Sequence, residues 1–180
     1  MNSYRGPNQS LNLTLTAVSC APRAFEIQNF LSDIEIDHVL KLATGLTLSQ
    51  STVAGGESGG KKDDATRTST NSWVYRHHSP IVDSIYRRAA DVLRIDEALL
   101  RNREKNEFVD YPFVDNVVKD SIGEALQLVH YDVGQQYTAH HDFGYASTTS
   151  PFQEARFATI LFYLNEGMEG EFSLNIIVTR

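Results

Sequence analysis

Between Leu11 and Ile27 apolar and polar positions alternate, with Leu11, Leu13 and Leu15 separated by Asn12 and Thr14. That two-residue period is the signature of extended chain and predicts one or two strands. The period then changes: Ile36, Val39, Leu40 and Ala43 recur at i, i+3, i+4 and i+7. Ser32-Asp33-Ile34-Glu35 stands ahead of them as a capping box, in which Ser32 and Glu35 satisfy the free amides of a helix start. An amphipathic helix is therefore expected to stop near Gly45, with Asp37 and His38 on its wet side. Thr66 to Tyr75 is β-prone and offers Trp73, Val74 and Tyr75 to a core. Ser79-Pro80 opens a second predicted helix, since proline suits the first helical position, with Ile81, Ile85, Ala89 and Val92 as its buried stripe. Ala125 to Tyr131 alternates as a strand and sets His130 beside Leu126 and Leu128, where a satisfied core histidine, or one backing a metal ligand, is expected. Phe157 to Leu164 is an apolar run that fits a buried strand.

The connections are polar. Gly55 to Gly60 holds four glycines and reads as a flexible loop, because no G-K-[ST] follows that would make it a phosphate cradle. Arg94 to Ser121 is charged and irregular; it is expected to be either an inserted loop over a site or a solvated connection.

A chain of 180 residues is the size of one domain, and 41% hydrophobic with 22% charged residues fits a globular protein. A net charge of -7 removes the basic footprint that a nucleic-acid surface needs, so no nucleic-acid partner is expected. Cys20 is the single cysteine, which excludes an internal disulfide framework. No basic region leads into a long apolar run, so neither a signal peptide nor a membrane span is read.

Chemistry concentrates in one segment. His140 and Asp142 lie two apart, so on extended backbone both side chains leave from one face while His141 points to the other. One imidazole nitrogen and one carboxylate oxygen can then meet at a point, two-thirds of the 2-His-1-carboxylate arrangement that holds Fe(II) with positions left open. The third donor must come from elsewhere. His77 and His78 precede a helix cap and are expected to be exposed.

Ordered blocks surround this pair. They are Tyr131-x-x-Gly134-Gln135-x-Tyr137-x-x-His140-x-Asp142 and, downstream, Arg156-Phe157-Ala158-Thr159-x-Leu161-x-Tyr163-Leu164-Asn165. Upstream stand Pro22-Arg23-Ala24-Phe25-x-Ile27-x-Asn29-Phe30-Leu31-Ser32 and Arg67-Thr68-Ser69 with Trp73. Together they resemble the catalytic domain of plant and algal prolyl 4-hydroxylases. The resemblance implies an α+β, mostly β fold: a double-stranded β-helix (jelly-roll, cupin-like) with N-terminal supporting helices. It divides the chain into an extension at 1–17, the catalytic domain at 18–170 and a tail at 171–180. It also implies Fe(II), 2-oxoglutarate as co-substrate, ascorbate to keep iron ferrous, and hydroxylation of a proline-containing peptide. By position, His140 and Asp142 match the catalytic metal ligands, Tyr131 and Thr159 the hydroxyl contacts of 2-oxoglutarate, and Tyr137 and Arg156 the substrate mouth. Arg156 could equally pair with an acid. Members of the family often work in the endoplasmic reticulum or secretory pathway, which sits awkwardly with the absence of a visible signal peptide.

Past Gly170 the residues leave this pattern, and neither a distal histidine nor the basic residue expected for 2-oxoglutarate follows Asp142. The expectation is a C-terminally incomplete catalytic domain of weakened iron affinity, with its last strands missing. Two other readings stay open: a non-catalytic relative that binds peptide or pairs with a complete subunit, and a metal-binding protein recruiting His77, His78 or His130.

Overall fold

The computed structural model describes residues 11–53, 65–101, 121–140, 142 and 156–165. The predicted Gly55–Gly60 loop, His141, most of the charged 94–121 stretch and the 171–180 tail lie outside the described residues. The fold is mixed, with helices and antiparallel sheets, and it divides into two compact units: 1–40 with 137–180, and 41–136.

The first unit begins with the alternating segment, which forms an antiparallel hairpin of β1 (Thr14–Cys20) and β2 (Arg23–Gln28), with a bulge between Ala17 and Ser19. Leu15 and Val18 are exposed on it, whereas Ala24 on β2 is buried. Asn29 then takes a left-handed backbone (φ 60), a conformation asparagine tolerates, and its amide donates to the Asn12 carbonyl at 3.3 Å. This turn delivers Phe30 to the interior, where its ring lies 5.1 Å from that of Phe162.

Helix α1 (Asp33–Thr44) starts as its sequence predicts: the Ser32 amide donates to Glu35 Oε2 at 2.8 Å and the Glu35 amide to Ser32 Oγ at 3.4 Å. Its stripe is corrected in one place. Val39 is buried, but Leu40 is exposed, and Leu42 packs on the core instead. Asp37 is exposed as expected, while His38 is only partly so.

In the second unit, β3 (Ser49–Gln50), β4 (Thr70–Val74) and β5 (Leu126–His130) form an antiparallel sheet with β4 central. Alternation along β4 buries Val74 completely and leaves Trp73 exposed; Tyr75, just beyond, is exposed too, so only one of the three core candidates enters the core. His130 pairs with Thr70 at the end of the ladder and is exposed, which corrects its expected core position.

Helix α2 (Pro80–Leu93) is capped by Ser79, whose Oγ accepts from the Val82 amide at 3.2 Å. Its buried face is Val82, Ile85, Tyr86 and Ala90, rotated one residue from the predicted stripe but sharing Ile85. The rotation puts Tyr86 inside with Val74, Ala90 and Leu100, and each large apolar side chain buried there contributes about 1.5–3 kcal/mol. Leu100 comes from a 3₁₀ turn, Glu97–Leu100, so the start of the charged stretch is core structure rather than loop.

Arg76 ties these pieces together. Its guanidinium donates to Asp83 at 2.7 Å, to Glu97, and to the Leu100 carbonyl at 2.8 Å, with its side chain 14% exposed. Burial opposes the charge on Asp83, yet hydrogen bonds from Arg87 and Arg76 outweigh it and hold that carboxyl below its ordinary value. Tyr86 donates to the Glu124 carbonyl at 2.6 Å, and burial pushes its hydroxyl up to about 12.

Phe157 to Leu164, expected as a buried strand, forms no ladder longer than a single bridge among the described residues. Alternation survives, but Phe157, Leu161 and Tyr163 face outward and Phe162 inward.

Arg76→Ala is expected to lower stability by about 2–3 kcal/mol, because Asp83, Glu97 and a backbone carbonyl lose their partner together. Arg87→Ala, at an exposed guanidinium, should leave the urea midpoint close to the parent's. Equal midpoints for the two variants would contradict Arg76 as the tie. Tyr86 is favoured in its protonated form by the fold, so its contribution is complete below its ordinary value of 10.0 and declines as pH rises toward about 12. Tyr86→Phe should flatten the fall of melting temperature over that alkaline window; an unchanged slope would rule the linkage out.

Candidate active site

The approach to the H-x-D segment is fixed by a turn and a threonine. Asp132 to Gln135 turns with the Gln135 amide donating to the Asp132 carbonyl at 3.0 Å and with Gly134 at φ 84, as a type II turn requires of its third residue. Thr68 then holds Gln136 at both ends: its amide donates to the Gln136 carbonyl at 2.9 Å, and its Oγ1 accepts from the Gln136 amide at 2.8 Å. In the sequence Thr68 stands out only within the Arg67-Thr68-Ser69 block, because a long-range backbone clamp leaves no signature in spacing.

Beyond this anchor, in the first unit, Tyr137, His140, Asp142, Arg156 and Thr159 come together. The Tyr137 ring stacks on the His140 imidazole with centroids 3.7 Å apart and planes 19° from parallel. His140 Nδ1 lies 2.9 Å from the Thr138 carbonyl. A carbonyl only accepts, so Nδ1 carries the hydrogen and Nε2 is the nitrogen turned toward Asp142. The distance from Nε2 to Asp142 Oδ1 is 3.3 Å. Thr159 Oγ1 donates to the other oxygen, Oδ2, at 2.6 Å, while Arg156 Nη1 approaches the same Oδ1 that His140 faces, at 3.5 Å. The Asp142 side chain is 12% exposed, against 30% for His140 and 44% for Arg156.

The chemistry of this pair follows from its donor set. With Nδ1 engaged by the Thr138 carbonyl, Nε2 is the ring nitrogen that faces Oδ1, where it can donate to the carboxylate or, with its lone pair, share a cation with it. A shared proton would draw them to about 2.7–2.9 Å. Two donors each about 2.1 Å from one metal ion, in neighbouring octahedral positions, stand about 3.0 Å apart. The observed separation is 3.3 Å, with a carbonyl on the imidazole's far nitrogen and a hydroxyl on the far carboxylate oxygen. No group of three His, Cys, Asp or Glu close enough to hold a metal ion occurs among the described residues.

The other candidates fall as follows. Tyr131 is exposed and belongs to the second unit. Arg156 takes the acid-pairing option left open for it, with Asp142 as the acid. His77 and His78 are exposed as expected and pack their rings with Tyr75, the two imidazoles edge to face at 5.1 Å. Among the described residues no helix is long and apolar enough to cross a membrane.

Comparison with known proteins gives a consistent set. The chain is 31% identical over 156 residues to an Arabidopsis thaliana protein named probable prolyl 4-hydroxylase 8, covering 87% of this chain and 46% of that one. It is 33% identical over 153 residues to Arabidopsis prolyl 4-hydroxylase 5, covering 85% and 44%. It is 33% identical over 156 residues to Arabidopsis probable prolyl 4-hydroxylase 6, covering 87% and 46%. The chain thus spans about half the length of the curated relatives it matches. No protein-family model matches it.

The ring stack makes a prediction of its own. Tyr137→Phe should preserve the ring-current shifts of the His140 carbon-bound protons, and Tyr137→Ala should move them toward free-histidine values in proton NMR. Identical spectra for parent and Tyr137→Ala would contradict the stack.

Proposed function

The chain is a plant-type prolyl 4-hydroxylase-like protein, and from that premise we propose that it carries catalytic machinery of an Fe(II)- and 2-oxoglutarate-dependent dioxygenase acting on peptidyl proline, within a double-stranded β-helix frame. The observation that supports this best is the 3.3 Å approach of His140 Nε2 to Asp142 Oδ1, each donor oriented from behind by its own hydrogen bond.

His140 and Asp142 would hold the iron, leaving positions for a third donor, the co-substrate and dioxygen. When bound, Fe(II) with 2-oxoglutarate supplies an oxidant for an unactivated C–H bond: O2 and 2-oxoglutarate are consumed, succinate and CO2 form, and one oxygen atom is left on the proline. The protein's own tasks are positional. The Thr138 carbonyl keeps the His140 hydrogen on Nδ1, so Nε2 stays available as a donor. Tyr137, stacked against the imidazole, and Arg156, beside the carboxylate, are the side chains next to which a prolyl ring would lie. Ascorbate would restore iron that has become ferric, and Tyr131 keeps the 2-oxoglutarate role only as the family resemblance implies it.

The purified chain, given Fe(II), 2-oxoglutarate, ascorbate and a proline-rich peptide in air, is expected to form succinate and hydroxyproline. His140→Ala and Asp142→Ala should each cost about 100-fold or more, as loss of a ligand does. Turnover no higher than that of His140→Ala would refute the proposal, and peptide binding without turnover would favour a non-catalytic peptide-binding relative instead.

A further inference from the structure

We propose that Thr159 is a positioning residue that sets the rotamer of Asp142 and so builds the metal-binding edge, in place of the direct 2-oxoglutarate contact that its position in the sequence implies. The inference rests on the reading of His140 and Asp142 as metal donors.

The terminal torsion of an aspartate is broad and roughly two-fold, so an unrestrained Asp142 would present either oxygen, at a range of tilts, to His140. Thr159 removes that freedom. Its hydroxyl lies 2.6 Å from Oδ2, inside the range of a charge-assisted O–H···O⁻ bond, and the contact is partly buried. A β-branched threonine is stiff at χ1, so it holds this direction at little cost in entropy. Arg156 is a poorer guide: it reaches Asp142 at 3.5 Å from a side chain 44% exposed, where water screens the pair. With Oδ2 engaged by Thr159, Oδ1 is the oxygen turned to Nε2 at 3.3 Å.

Proton inventory separates this role from co-substrate binding. A threonine hydroxyl has one hydrogen to donate, and here it goes to Asp142. A carboxylate of 2-oxoglutarate is acceptor-only and would need that same hydrogen. While Thr159 orients Asp142 it cannot also donate to the co-substrate.

Titration of the intact chain with Co(II), followed by its visible d–d absorption, tests the assignment on Thr159→Val, Thr159→Ser and Asp142→Ala, with melting curves of the metal-free proteins alongside. Thr159→Val, nearly isosteric but without a donor, is expected to raise the Co(II) dissociation constant about tenfold, at the lower end of what losing an outer hydrogen bond costs a metal site. Thr159→Ser keeps the donor and should stay within about two-fold of the parent, with both melting temperatures unchanged. Parental Co(II) affinity in Thr159→Val, with weakened 2-oxoglutarate binding to the Co(II)-loaded chain, would overturn the positioning role in favour of direct co-substrate contact. Equal losses in the Val and Ser variants would overturn it in favour of packing. Unchanged Co(II) binding in Asp142→Ala would instead remove the metal reading itself, a result distinguishable from the other two.

Discussion

The Asp142 carboxylate is the constraint around which the candidate site is arranged. Its Oδ2 is held by Thr159 and its Oδ1 faces His140 and Arg156, so a single side chain fixes the separation of two donors and joins residues 17 apart in sequence. Without the hydroxyl on one side, the geometry on the other has no determinant. The imidazole is framed in the same manner, by a ring on its face and a carbonyl on its edge. Both donors are oriented by neighbours that use different atoms from those aimed at the shared point. Their orientation is therefore set by the protein's own groups.

In the second unit the corresponding tie is Arg76. One cation satisfies Asp83 at the start of α2, Glu97 on the following 3₁₀ turn and the Leu100 carbonyl at that turn's end. The ties surround the apolar core of Val74, Val82, Tyr86, Ala90 and Leu100. Charge and burial cooperate here because the acids remain partly solvated while the arginine is largely covered. Thr68, in the same unit, carries this order to the backbone at Gln136, the residue before Tyr137.

Features set by local chemistry were legible in the sequence. The Ser32–Glu35 capping box, the Ser79 cap with Pro80 and the alternation in 126–130 each depend on neighbours a few residues apart, and each formed. His140 and Asp142 were readable as a pair because a two-residue spacing places both on one face. What pattern could not supply was phase and partner. The stripe of α2 is turned by one residue because Tyr86 is amphipathic and can bury its ring while its hydroxyl reaches the Glu124 carbonyl. His130 lies at a ladder end, where alternation no longer decides burial. Phe157 to Leu164 is apolar enough for a covered strand, yet Phe157, Leu161 and Tyr163 are exposed while Phe162 packs on Phe30. Position alone matches Thr159 to the co-substrate, and its 2.6 Å bond to Asp142 is a partner that spacing does not reveal.

A divalent cation held between His140 and Asp142, as proposed, would reveal its location directly through paramagnetic broadening. With substoichiometric Mn(II) and an isotopically labelled chain, the account predicts that backbone amide signals of residues 138 to 142 and of Thr159 disappear first, and that they persist in Asp142→Ala. Broadening centred on His77, His78 or His130, with the 138–142 signals intact, would contradict it.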